Sequence, residues 1–376
     1  LFHLSVANRK ETGNYSHLCN RKTMMIMRNF LPLIASVSVL LACEGREYLD
    51  WNRPVTAQEG FSHDEIVLGE QLPDPFSVDN MTKALESMYP ATRGRVALDP
   101  TDFYVRFLPK DDDQLQELLS MGVELLDHPL DYRIGREGDW YHDPSLPEDA
   151  ITWQYAVVPV LFEFPRGVRY ERLDDCYLPE HDPSTKAGDG IDWDAVERES
   201  YRLTGNAEML LPESRDGLLS SRGMPSGRIA IVDSESDDEP IGVKGVKVSC
   251  NSFVKFASAY TDDEGYYRMS KSFSSDVRMR LVFQNIRGFT QGINFILVPA
   301  SVSTFGQQPS DGFSITVDSY SDHKLFTRCV VNNAGYDYIE ASRKSSGAIP
   351  APPHDFRIWN VDMLGVSIPT MMHHGV

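Results

Sequence analysis

Residues 227–283 decide the fold: Gly227-Arg228-Ile229-Ala230-Ile231, Pro240-Ile241, Gly245-Val246-Lys247-Val248, Thr261-Asp262-Asp263-Glu264-Gly265-Tyr266-Tyr267 and Val277-Arg278-Met279-Arg280-Leu281. Short β-branched and aromatic runs alternate with turn residues, which predicts strands at Arg228–Val232, Val246–Cys250, Phe256–Thr261, Tyr266–Ser270 and Val277–Phe283. Strands this short and closely spaced argue for a β-sandwich. In Gly-Val-Lys-Val successive side chains point to opposite faces. Asp262-Asp263-Glu264-Gly265 supplies a tight turn in which Gly265 is free to take a positive φ, and Tyr266 and Tyr267 open the returning strand with one ring on each face.

Upstream, Asp192 caps a helix expected over Trp193–Leu203 that stops near Gly205, between a polar loop from Pro183 and a second loop from Pro212 to Gly227. Asp79 to Met88 places Met81, Leu85 and Met88 on one helical face, with Ser77 or Asp79 as N-cap. Asp102–Leu108 alternates as a strand, Asp111–Ser120 reads as a helix with acidic residues at its positive end and Gly122 at its C-cap, and Val123–Asp127 reads as a second strand of a β-α-β unit. Thr152–Phe164 is strongly β-forming, and Pro159 directs it to an edge or a bulge. The expected class is therefore α+β: a small α+β domain at 57–180, a helix and linker at 181–226, the sandwich at 227–300 and a β-rich C-terminal segment at 301–376.

The N-terminal region carries a different signal. Phe30 to Ala42 is uncharged, follows Arg28 and is too short to span a bilayer, as in a signal peptide at 24–42. It ends in Leu40-Leu41-Ala42-Cys43, the apolar, apolar, small, Cys order of a lipobox, which makes Cys43 the expected lipidation site. Residues 1–23, ahead of Met24, Met25 and Met27, read as an over-extended gene start. Residues 43–56 read as a linker.

The strand-and-turn constellation at 227–300 resembles the carboxypeptidase regulatory-like domain, whose members are transthyretin-like β-sandwiches. A broader resemblance, to uncharacterised lipoproteins of Bacteroidetes-type bacteria, rests on Asp102-Phe103-Tyr104-Val105-Arg106-Phe107, Asp131-Tyr132, Tyr141-His142-Asp143-Pro144, Tyr155-Ala156 and the Thr-Asp-x-x-Gly turn. Longer proteins of that type continue into a His-Glu-Leu-Ala-His stretch similar to zinc peptidases. This chain contains no His-Glu-x-x-His, so the resemblance leaves two readings: a branch without catalysis, or a metallopeptidase-like lipoprotein whose zinc segment lies beyond Val376.

The remaining residues suggest no catalytic site, metal site or cofactor. No Gly-x-Ser-x-Gly elbow or phosphate-binding glycine loop occurs. His142-Asp143 and His181-Asp182 each precede a proline and read as turns. Adjacent His373 and His374 diverge on any regular element, and Asp111-Asp112-Asp113 is explained by a helix dipole. Cys176, Cys250 and Cys329 are too far apart for a zinc knuckle and read as core thiols, with at most one disulfide among them. The net charge of −19 opposes binding to nucleic-acid phosphates. The expected partners are the membrane, through the lipid on Cys43, and an envelope protein or a glycan, with Trp140, Trp153, Trp193 and Trp359 as stacking candidates. Glu44 after Cys43, with Glu47 and Asp50 beyond it, leads us to expect the outer membrane.

Overall fold

In the computed structural model, alternation, capping and turn chemistry can be followed through residues 65–187, 190–212, 222–232, 239–292, 301–353, 357–361 and 368–372, the described residues. The signal segment with Leu40, Leu41, Ala42 and Cys43, the linker at 43–56, and His373-His374 lie outside them.

The first half of the described residues comprises β1 (Val67–Gln71), α1 (Val78–Met88), β2 (Asp102–Leu108), α2 (Asp112–Ser120), β3 (Tyr132–Arg136), β4 (Gln154–Pro159), β5 (Arg169–Cys176) and α3 (Trp193–Leu203). Each helix starts where its capping residue dictates. Ser77, Asp111 and Asp192 accept from the backbone N–H of Asn80, Gln114 and Ala195 respectively. Met81, Ala84 and Leu85 bury the inner face of α1, whereas Met88, expected on that face, is 40 % exposed at the helix end.

β4, β2 and β5 form an antiparallel sheet with β2 at the centre, and Pro159 ends the edge strand β4. Val105 and Phe107 pack with Leu118 of α2 on one side, while Tyr104 joins Phe76, Tyr155 and Cys176 on the other. The expected strand at Val123–Asp127 does not form. Only Leu126 bridges, to Tyr155. This segment passes between two cores: Val123 and Leu125 pack into one, Leu126 into the other, and Glu124 binds Lys247 at 3.2 Å. Side chains spent in three directions leave no ladder for the backbone, so there is no β-α-β unit.

The second half comprises β6 (Ser226–Val232), β7 (Ile241–Gly242), β8 (Val246–Ser252), β9 (Lys255–Tyr260), β10 (Tyr266–Arg268), β11 (Val277–Asn285), β12 (Thr290–Gly292), β13 (Val302–Gln308), β14 (Ile315–Asp318), α4 (His323–Lys344), β15 (Arg357–Val361) and β16 (Ile368–Met372). β6 pairs with β10 and β7, and runs parallel to β14. The other sheet runs β9-β8-β11, and β11 pairs in turn with β12 and β13; β15 and β16 extend it beyond β12. Ile229, Ile231 and Val317 from the first sheet and Val248, Met279, Leu281 and Phe283 from the second share one apolar core. The architecture is thus mixed α+β, with four helices and several sheets among the described residues.

The segment after 301 holds the four strands β13 to β16 and, besides them, a long helix that the sequence reading did not anticipate. Its strands β13 and β14 join the two sheets, and between them and β15 lies α4, which is 22 residues long and closes the shared core with Leu325 and Cys329.

The two halves are locked by polar contacts as well as by packing. In β11, Met279 and Leu281 enter the core, and Arg278 and Arg280 take the opposite face. That face meets the segment 124–139: Arg278 binds Glu137 at 2.7 Å, and Asp139 accepts from Thr304 N at 3.1 Å and pairs with Arg328 at 3.2 Å. Reciprocally, the β8–β9 hairpin inserts its tip into the first half, where Phe253 packs edge-on against Tyr201 with 5.9 Å between ring centroids.

Candidate functional site

Gly265 has the positive φ anticipated for it, but the Asp262–Gly265 turn closes no hairpin: it leads from β9, which pairs with β8, to β10, which pairs with β6. Gly265 lies at φ +82°, Asp262 Oδ1 accepts from the N–H groups of Glu264 and Tyr266, and Gly265 N donates to Asp262 O at 3.1 Å. Tyr266 is exposed and Tyr267 is buried, its hydroxyl donating to Phe313 O at 2.8 Å. The Asp262 side chain holds the turn, and Asp263 Oδ1 accepts from Tyr336 OH of α4.

The aspartates of the two His-Asp-Pro stretches are engaged locally. Asp143 accepts from Ser145 N, and Asp182 accepts from Tyr177 OH and Ser184 N, which is turn chemistry. Cys176, Cys250 and Cys329 are free thiols in the core, and burial pushes all three up in pKa, to about 12 for Cys250. Trp153 is buried beneath Arg106, 4.1 Å from the ring centre, and Trp193 packs on Tyr177; Trp140 is half exposed. Among the described residues no three His, Cys, Asp or Glu side chains converge to hold a metal ion, and no helix is long and apolar enough to cross a membrane.

Two constellations emerge that the sequence reading missed. The first joins both halves. His181 Nδ1 lies 2.8 Å from Asp102 Oδ2, and its Nε2 lies 3.1 Å from Lys271 Nζ. Asp102 is buried and also accepts from Thr101 OH, and burial lowers the pKa of Lys271. Beside them Lys255 and Glu197 pair at 2.9 Å with almost no exposure. Chemically this is an acid–imidazole–amine relay resting on a buried ion pair.

The second is an open cleft of about 570 Å³ at the start of α1, bounded by β2, β5 and the segment 129–132. The turn that ends in the Ser77 cap positions Asp74: its Oδ1 accepts from Phe76 N at 2.8 Å and its main-chain O accepts from Asn80 Nδ2. Its Oδ2 is buried and has no hydrogen-bond partner. Burial first, and then the neighbouring Asp174 and Asp131, push the Asp74 carboxyl up to about 8 against the opposing Phe76 N–H. Asp131 accepts from Gln71 Nε2 at 2.6 Å and from Tyr104 OH at 3.1 Å. Asp174, also raised by burial, joins this cleft to a smaller one beside Asp79 and Asp175. The arrangement can bind a ligand through carboxyl oxygens and tyrosine rings.

No local signal could have revealed either constellation. The chain gives no significant match to any protein-family model, curated protein or solved structure.

Proposed function

We propose that this chain is a membrane-anchored cell-envelope lipoprotein whose folded part is a non-catalytic structural or interaction unit. The observation that carries the reading is the uncharged run from Phe30 to Ala42 closing on Leu40-Leu41-Ala42-Cys43. The engagement of buried polar groups in joining the two halves, Lys255 with Glu197 and Arg328 with Asp139, supports a scaffold role. The outer membrane is its proposed location, and an envelope protein or a glycan is its proposed kind of partner besides the lipid.

Within that unit we read residues 227–300 as a transthyretin-like sandwich of the carboxypeptidase regulatory-like kind. Two sheets sharing one core and the Asp262–Gly265 turn between β9 and β10 support this.

Expression in a bacterium that processes lipoproteins, with labelled fatty acid supplied, tests the anchor. Label should enter the protein and fractionate with the outer membrane, and Cys43→Ser should abolish both. An unlabelled, unprocessed Cys43 protein would overturn the reading.

A further inference from the structure

The cleft beside Asp74 gathers carboxyl groups without a cation to match them. Asp131 is held by the neutral donors Gln71 and Tyr104, Asp174 bonds the Asp175 amide, and Asp74 bonds the Phe76 amide. Arg106 lines the cleft too, but it is committed to Glu171 at 2.8 Å and lies over Trp153. Asp74, one of the residues that line the cleft, is only 8 % exposed, and its buried Oδ2 has no hydrogen-bond partner. A buried polar atom left in this way is costly to the fold, and a donor supplied by a ligand removes that cost.

The carboxyl groups are spread along the cleft and do not converge on one point, since no metal-binding trio forms among the described residues. A compact ion therefore fits poorly. An extended cation with separated charges fits well, because each charge meets its own carboxyl group. The apolar lining from Leu72, Pro73 and Leu173 suits methylene spacers, and Tyr132 among the lining residues adds an aromatic ring that can attract an ammonium group. The volume, about 570 Å³, falls within the range of small-molecule sites, roughly 300–1,000 Å³.

We propose that this cleft binds a linear aliphatic polyamine, whose ammonium groups are shared among Asp74, Asp131 and Asp174 and whose methylenes lie on Leu72, Pro73 and Leu173. The site goes beyond the lipoprotein reading and does not depend on it. Binding is coupled to pH through Asp74, which must give up its proton to accept an ammonium group. The titratable groups facing it are Asp131, Asp174, Cys176, Tyr104 and Tyr201; burial raises the last three, so they stay neutral while Asp74 titrates.

The test is calorimetric titration of the full-length protein with spermidine at low salt, at pH 6.5 and pH 8.5. Affinity should rise about 25-fold between the two, as linkage to a carboxyl that ionises near pH 8 requires, with proton release visible as a dependence of the heat on buffer. Asp74→Asn should weaken binding and flatten the pH dependence. Asp131→Asn and Asp174→Asn should weaken binding and keep a pH dependence, shifted to lower pH because each of these carboxylates helps to raise Asp74, and they carry the test if Asp74→Asn fails to fold. Glu148→Gln, an exposed substitution that does not line the cleft, should change nothing. An equal loss in Glu148→Gln would reduce the effect to diffuse charge attraction. That result, the absence of spermidine binding, or preferential binding of calcium ion or a neutral oligosaccharide overturns the proposal.

Discussion

Lys255 Nζ and Glu197 Oε2 lie 2.9 Å apart with side chains 1 % and 3 % exposed, so the β8–β9 hairpin is tied to α3 by an ion pair that water does not reach. Arg222 Nη2 approaches the same Glu197 oxygen at 3.5 Å, and Ser274 N donates to its other oxygen at 3.4 Å. Removing Lys255 leaves Glu197, in a low-dielectric site, with the longer Arg222 contact in place of its close partner. Lys255→Met should therefore destabilise the protein by about 3–5 kcal/mol in urea unfolding. The double variant Lys255→Met with Glu197→Leu should recover much of that loss, because no unpaired charge then remains. If the double variant is as unstable as the single one, the pair itself supplies the stability.

Asp139 plays a comparable part at the other contact between the halves. It accepts from Thr304 N and pairs with Arg328, whose side chain is 2 % exposed. Asp139→Ala should cost about 3–5 kcal/mol by leaving that guanidinium buried without its carboxylate. It should also free the segment 124–139 from the sheet, and limited proteolysis would detect this as new cleavage there before global unfolding. Resistance equal to that of the parent protein would show that the segment is held by other contacts.

Asp74 makes stability fall as pH rises. Its carboxyl is raised to about 8 in the fold against 3.8 for the solvated side chain, so between these values the folded protein holds a proton that the unfolded chain has lost. Unfolding thus becomes easier with each pH unit across this window, by up to about 1.4 kcal/mol per unit, and the effect levels off above the folded value. Asp74→Asn keeps an acceptor for Phe76 N and carries no charge. It should remove this slope, matching the parent near pH 4 and exceeding it at pH 8.5. Denaturant midpoints measured across the window decide the matter, and parallel profiles for the two proteins would refute the assignment.

The elements legible in the sequence are those whose local chemistry agrees with their tertiary setting. Ser77, Asp111 and Asp192 announce helices because an N-cap acts within three residues. The strands around Gly265 announce themselves by turns and alternation. In α4 the opposite holds: Asn332 and Asn333 read as solvent-facing, yet both are buried. Asn333 Nδ2 donates to Gly242 O, and its Oδ1 accepts from Lys244 N. Gly335, a weak helix former, sits where a Cβ would come 2.7 Å from the Phe289 ring. Polar and small residues that serve distant partners erase the apolar period. β5 escaped for a related reason: as an edge strand with mostly exposed residues, it shows little hydrophobic alternation. The cleft and the Asp102–His181 contact were invisible because their members meet only in the folded chain.

Two glycines with the same backbone hand separate conformational cost from steric cost. Gly265 lies at φ +82° and Gly122 at φ +74°, so a side chain at either pays roughly 1 kcal/mol for the left-handed conformation. A Cβ on Gly122 would meet nothing within 4 Å, whereas one on Gly265 would come 2.2 Å from Ile229 O, a backbone atom that cannot move aside cheaply. That carbonyl accepts from Val243 N, and Ile229 N donates to Gly265 O, so displacing it disturbs the pairing of β6 at the heart of its sheet. Gly122→Ala should lower stability by about the conformational term alone. Gly265→Ala should lower it more, and Gly265→Val more again, because a β-branched side chain is worse placed in the left-handed region. Thermal unfolding of the three variants of the full chain orders the effects. Equal midpoints for Gly122→Ala and Gly265→Ala would mean that the close approach to Ile229 is absent in solution, and with it the main structural support for reading residues 227–300 as a tightly turned sandwich.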